Sequence, residues 1–250
     1  MLKRLFEIVI SAAGLLVGSV VLLPAMLLVW LQDRHSPFYS APRIGRGGRP
    51  FTMLKLRSML FRADRSGVTS TAGDDARVTT VGRWVRRWKL DELTQLWNVL
   101  TGDMSLVGPR PQVAWAVQGY TDSERELLTV KPGITDLASI VFSDEADILR
   151  GAGNPDLRYE QFIRPWKSRL ALLYVRRGRT LRNDVRVLWL TALAMVARPR
   201  ALAGVARLVH TLGGGEELVR VALRVELPRE APPPGASEVV RAIPSTLPTH

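Results

Sequence analysis

From Ile8 to Leu31 the chain reads IVISAAGLLVGSVVLLPAMLLVWL, an apolar run without one charged residue. As a helix rising about 1.5 Å per residue, it is long enough to cross a hydrocarbon core of roughly 30 Å. Lys3 and Arg4 precede the run, while Arg34, Arg43, Arg46 and Arg49 follow it, so the positive-inside tendency pulls both ends toward the cytoplasm. Pro24 lies within it, where it removes a helix hydrogen bond and crowds the preceding turn. A helix-break-helix that enters and leaves on one face satisfies both features, and an ordinary single span stays open beside it. A cleaved leader fits less well, because the run exceeds the usual leader length and no A-x-A-like site follows before Asp33.

Beyond the run, PRIGRGGRPFTMLKLRSM reads as a β-hairpin turning at Gly45, Gly47 and Gly48. The two-residue period puts Leu54 and Leu56 on one face and Lys55 with Arg57 on the other. RADRSGVTSTAGDDARVT, residues 62–79, is polar and rich in turn formers, so it is expected as an exposed loop. Leu90, Leu93, Leu96, Trp97 and Leu100 recur at spacings of three and four, predicting a helix with one buried stripe that Gly102 ends. KPGITDLASI predicts a turn into a short extended stretch, followed by a polar segment from Ser143 to Arg158. Residues 159–182 read as a basic helix. Asp184 is placed to cap VRVLWLTALAMVA, whose broad apolar face suits a membrane interface, and Pro199 separates it from a second amphipathic stretch ending at Leu212. The remaining residues are rich in Pro and Gly and predict a largely disordered tail with one short element near Val219 to Val225.

The organisation predicted is α+β and mainly helical. It comprises a membrane-embedded re-entrant helix over 1–33, a single catalytic domain over 34–212 built from a small hairpin and amphipathic interfacial helices, and a tail over 213–250.

Composition narrows the chemistry. Cysteine is absent, which removes thiol catalysis and thiolate metal sites, and His35, His210 and His250 lie far apart. Carboxylates must therefore carry acid–base or metal work. The net charge is +12, and only Lys3, Lys55, Lys89, Lys131 and Lys167 are lysines, so arginine dominates. Its planar fork binds phosphate in a bidentate manner, pointing to phosphorylated ligands, anionic lipid or nucleic acid.

The stretch KLDELTQLWNVLTGDMSLVGPRP places Asp91 beside Glu92. Capping is the plain explanation: Asp91 as N-cap, Glu92 in the first turn, both favoured by the helix dipole. Three features add chemistry to it. Arg83, Arg86 and Arg87 stand just before the pair and supply charge that would keep both acids ionised. A helix start favours an anionic ligand. Arg110 is held between Pro109 and Pro111, so it loses little freedom on binding. Ionised carboxylates hold Mg²⁺, which bridges phosphate oxygens, and an aspartate can form an acyl-phosphate. No P-loop or dinucleotide fingerprint accompanies them.

Over residues 2 to 197 these blocks, with KPGIT and the late YVRRGRTLRNDVRVLWLTAL, resemble the bacterial sugar transferase family, the monotopic polyprenyl-phosphate phosphoglycosyl transferases. The resemblance implies a re-entrant membrane helix and a cytoplasmic-face domain on the bacterial inner membrane. It also implies transfer of a sugar-1-phosphate from a UDP-sugar to undecaprenyl phosphate, releasing UMP, to begin exopolysaccharide, capsule or O-antigen assembly. By motif, Asp91 is similar to the family's nucleophile and Glu92 to its partner, the two also holding Mg²⁺. Arg86 and Arg110 are similar to its phosphate-contacting arginines; Lys55, Arg57, Pro132 and Gly133 would line the nucleotide or acceptor pocket. Membrane lipid is an implied partner and nucleic acid is not, and nothing in the resemblance excludes a homodimer. Thr94 departs from the usual proline of D-E-L-P-Q, and Asp136 from a common glycine. The reading that competes is a membrane-anchored basic scaffold that binds nucleic acid or lipid without catalysis.

Overall fold

The computed structural model describes residues 1–63 and 75–242, and the chain is mainly helical with two small two-stranded sheets. Helix α1 (Leu2–Asp33) leads into the hairpin β1 (Phe38–Ile44) and β2 (Pro50–Leu56). Then come α2 (Thr80–Arg87), α3 (Leu90–Leu93), α4 (Leu96–Thr101), β3 (Ser105–Val107), α5 (Ala114–Gln118), α6 (Asp122–Arg125) and β4 (Gly133–Thr135). The rest is α7 (Leu137–Val141), α8 (Glu145–Leu149), α9 (Pro155–Arg158), α10 (Arg164–Leu173), α11 (Leu181–Val196), α12 (Arg198–Thr211) and α13 (Glu216–Leu223). Most of the expected 62–79 loop, residues 64–74, lies outside the described residues.

Helix α1 is 32 residues long and, by length and composition, apolar enough to cross a membrane. Its buried positions are Glu7, Ser11, Leu22, Ala25 and Val29, and Gly14 and Gly18 complete the stripe by taking the close approach of Leu96 and Leu93. Spacings of three and four from 7 to 29 mean that one face packs along the whole helix. The expected break is not found: α1 continues through Pro24, which lies on the exposed side, where its missing N–H disturbs no packing.

Both ends of α1 are tied to the same body. At the start, Arg4 donates to the Val99 and Leu100 carbonyls at 2.5 and 2.8 Å, Lys3 pairs with Asp184 at 2.8 Å, and Ser105 Oγ donates to Glu7. At the finish, Arg57 donates to both Asp33 oxygens at 2.5 and 2.6 Å and to the Ser36 carbonyl at 2.9 Å. Leu22, Ala25 and Val29 pack with Leu56 and Val85, while the main core gathers Met104 with Val99, Leu137, Leu170, Val187 and Val205 from five helices.

Several expectations change. The helix of residues 90–100 divides into α3 and α4, and Trp97 is 55% exposed, because the leucines turn to α1 while polar residues fill the inward face. Asp184 does not cap α11; Thr180 does, accepting from Asn183 N–H, and buried Asp184 faces Lys3 and the Tyr174 hydroxyl. Helix α11 exposes Trp189, Met195 and Val196, but α12 is a core helix that buries Leu202, Val205 and Val209.

Through residue 242 the tail lies on the body. After α13 it crosses the body as an extended strap: Trp166 Nε1 donates to Arg229 O at 2.8 Å, Gln161 Nε2 to Val240 O at 2.8 Å, and Ala231 N–H to Gln161 O at 3.1 Å. Backbone carbonyls fixed in this way order a segment that composition alone marks as loose. Ending the chain at Leu223 is expected to lower the thermal midpoint by roughly 5 °C or more. An unchanged midpoint in a melting curve would show that the strap does not stabilise the body.

Candidate functional site

The acidic pair occupies the first turn of α3, but Asp91 is not its N-cap. Lys89 is, in the left-handed region at φ 56°, and no side chain caps the turn. Asp91 is thereby carried inward and is 9% exposed. Its Oδ1 is buried without a hydrogen-bond partner among the described residues.

Glu92 has a partner: Arg110 Nη2 donates to its Oε1 at 2.6 Å. The two carboxyls therefore diverge. Burial pushes Asp91 above the usual carboxylate range, and the adjacent Glu92 adds to this against Lys55, Lys89 and Arg86. Burial acts on Glu92 too, but Arg110, Lys89 and Lys55 outweigh it and hold it at about 2. At Asp91 burial thus opposes the charge that the preceding arginines supply, whereas at Glu92 the neighbouring cations prevail. Arg83 and Arg87 point to solvent, and Arg86 donates from Nε to Ser58 Oγ at 2.8 Å while its charge is felt at Asp91.

Arg110 is placed by a close backbone approach. Strands β3 and β4 pair in parallel, Ser105 opposite Gly133 and Val107 opposite Thr135. Gly108 N–H donates to Thr135 O at 3.0 Å and Gly133 N–H to Pro109 O at 2.9 Å, so KPGIT seats VGPRP directly. A Cβ on Gly133 would stand 2.1 Å from the Gly108 nitrogen. Pro132 also lines a narrow crevice with Pro109, Arg110, Pro111 and Tyr120. Pro132 and Gly133 thus act on the site through the Arg110 loop.

Lys55 projects from β2 toward the pair. Burial and the neighbouring Arg110 lower its ammonium to about 8, against Glu92 and Asp91. Among the described residues no carboxylate forms a salt bridge with it. Arg57 is elsewhere: β2 ends at Leu56, and Arg57 turns back to Asp33 and the end of α1, so the shared face expected for Lys55 and Arg57 is not kept.

Sequence reading missed Ser58, the partner of Arg86, and Arg43, whose charge reaches both Lys55 and Arg110. A hydroxyl directly after K-L-R and an arginine on the first strand of the hairpin, opposite Phe51, were the available signals. Asp136 is the buried N-cap of α7, accepting from Ser139 N–H at 2.6 Å, which gives that departure a structural role.

Among the described residues no cluster of three or more His, Cys, Asp or Glu side chains could hold a metal. Two adjacent carboxylates, one with a free oxygen, nevertheless fit Mg²⁺, which takes few protein ligands and completes its shell with water and phosphate oxygens.

Comparison with known proteins gives a match to the family described as Bacterial sugar transferase over residues 1–198. An undecaprenyl-phosphate galactose phosphotransferase of Salmonella typhimurium is 34% identical over 220 residues, 80% of this chain and 41% of its own. A UDP-galactose-lipid carrier transferase of Erwinia amylovora is 32% identical over 210 residues, 73% of this chain and 41% of its own. A UDP-glucose:undecaprenyl-phosphate glucose-1-phosphate transferase of Caulobacter vibrioides is 36% identical over 173 residues, 66% of this chain and 65% of its own. The match thus spans less than two thirds of each of these relatives.

Replacing Arg110 with Gln removes the largest influence opposing burial at Glu92. The Glu92 carboxyl, followed by carbon NMR, should then titrate well above about 2; an unmoved midpoint would show that Arg110 does not set its charge. A depressed carboxyl adds stability above its unfolded value of 4.5, lost as pH falls through about 2. Arg110→Gln should therefore flatten stability across that window.

Proposed function

The chain belongs to the bacterial sugar transferase family, and from that premise we propose that it transfers a sugar-1-phosphate from a UDP-sugar to undecaprenyl phosphate, releasing UMP. The step would begin assembly of an exopolysaccharide or related glycan at the cytoplasmic face of the bacterial inner membrane. The observation that carries the reading is the division of labour in the pair: Glu92 is tied to Arg110, while Asp91 keeps a buried carboxylate oxygen free.

In the first step an Asp91 oxygen attacks the phosphorus that bears the sugar. The new O–P bond forms as the bond to the UMP oxygen breaks, and UMP leaves with the electron pair. The lipid phosphate oxygen then attacks the same phosphorus and displaces the Asp91 carboxylate. Glu92, held at about 2, is a weak base, so its role in this reading is to orient Arg110 and to help hold Mg²⁺. Mg²⁺ on Asp91 and Glu92 would neutralise charge on the diphosphate. Lys55, which forms no salt bridge among the described residues, and Arg86, whose charge faces Asp91, suit the donor's phosphates.

The acceptor is a lipid, and the tethering of α1 supports a same-face arrangement. A helix crossing the bilayer could touch a cytoplasmic domain at one end only, whereas Arg4 and Asp33 both engage it. The opposite face of α1 exposes Leu16, Val17, Val20 and Leu23, and nearby Trp84 on α2 and Trp88 just after it are exposed, with Trp189 on α11. Apolar and tryptophan side chains of this kind suit an interfacial bed.

Asp91→Asn should reduce UMP release from UDP-sugars with undecaprenyl phosphate and Mg²⁺ by at least about 10³-fold, with membrane association unchanged. Full turnover in that variant would return the pair to a structural role. The absence of cysteine allows a topology test: Leu2→Cys and Ser36→Cys should both react with an impermeant thiol reagent from the cytoplasmic side alone. Labelling of the two from opposite sides would establish a span.

A further inference from the structure

Among the described residues strand β2 pairs with β1 along one edge only, and two-stranded ribbons are marginal by themselves. Its other edge is held by side chains. Leu54 N–H donates to Asn98 Oδ1 at 2.9 Å, Asn98 Nδ2 donates to Thr52 O at 2.8 Å, and Thr94 Oγ1 donates to Leu54 O at 3.2 Å. The Thr94 hydroxyl is shared with Asp91 O at 3.3 Å. Thr94 and Asn98 are 3% and 4% exposed, so the side chains that make these bonds are buried.

The spacing is what gives the arrangement a function. Asp91, Thr94 and Asn98 recur at i, i+3 and i+7 and occupy one face of the α3–α4 segment. The face that presents the carboxylate therefore also supplies the amide and hydroxyl that take the place of a third strand. Lys55 follows the gripped residue Leu54, and across β1 it stands opposite Tyr39. The strand is thus held at Leu54 and Thr52 on one edge and paired with β1 on the other, so the Lys55 side chain leaves β2 at a fixed height relative to Asp91.

We propose that Thr94 and Asn98 are positioning residues that set the Lys55 ammonium against the Asp91–Glu92 pair, making β2 the phosphate-holding arm of the site. This rests on the reading that the site takes a UDP-sugar. Thr94 acts through a hydroxyl that the proline usual at this position lacks, so the chain has its own way of fixing the strand. The effect belongs to binding, because the lysine meets a phosphate already charged in the ground state.

The test is equilibrium binding of UMP to the full chain in detergent micelles, read by calorimetry. Thr94→Val keeps the shape and removes the donor; it should weaken UMP about tenfold, with Thr94→Ser within about twofold of wild type. Lys55→Ala should weaken UMP at least as much, and Thr94→Val added to Lys55→Ala should cost nothing further, because both act through one ammonium. Wild-type affinity in Thr94→Val, or its full loss repeated on the Lys55→Ala background, overturns the inference and leaves the donor reading intact. Failure of the wild-type chain to bind UMP overturns that reading and the inference with it.

Discussion

The site depends on the ion pair between Arg110 and Glu92. Without it, two adjacent carboxyls in a buried turn would share one electrostatic fate, since each raises the cost of ionising the other. With it, Glu92 is fixed as an anion and Asp91 is left with a free oxygen and a raised affinity for its proton. The pair depends in turn on backbone contact between Gly108 and Gly133, which only residues without a Cβ permit. Two short motifs distant in sequence are thus one device for holding a guanidinium.

The same economy extends to the membrane helix. Leu93 and Leu96 follow directly on the acidic turn, and they pack into the glycines of α1. The long apolar helix is therefore in contact with the segment that carries the acidic pair. Arg57, expected in the pocket, serves this arrangement by holding the end of α1 through Asp33.

Much of this was legible in the sequence because it is local. The hairpin follows from glycine spacing, the apolar helix from a charge-free run, and the acidic turn and proline-held arginine from adjacency. What was not legible depends on partners far along the chain. Trp97 fits a helical stripe, but the stripe faces α1, and the inward side is polar because β2 needs hydrogen bonds there. Asp184 has the composition of a cap, yet Lys3 draws it inward from 181 positions away. The strap after α13 lacks any apolar period and is ordered by its carbonyls, which carry no signal in side-chain pattern.

The central claim is that Asp91 is covalently modified during transfer. It is tested most directly by incubating the chain with a UDP-sugar carrying a labelled sugar, with Mg²⁺ and no acceptor, then quenching and mapping the labelled peptide. The account predicts one labelled phosphosugar on the peptide containing Asp91, absent in Asp91→Asn and discharged on adding undecaprenyl phosphate. An unlabelled chain that still turns over when acceptor is present would contradict it.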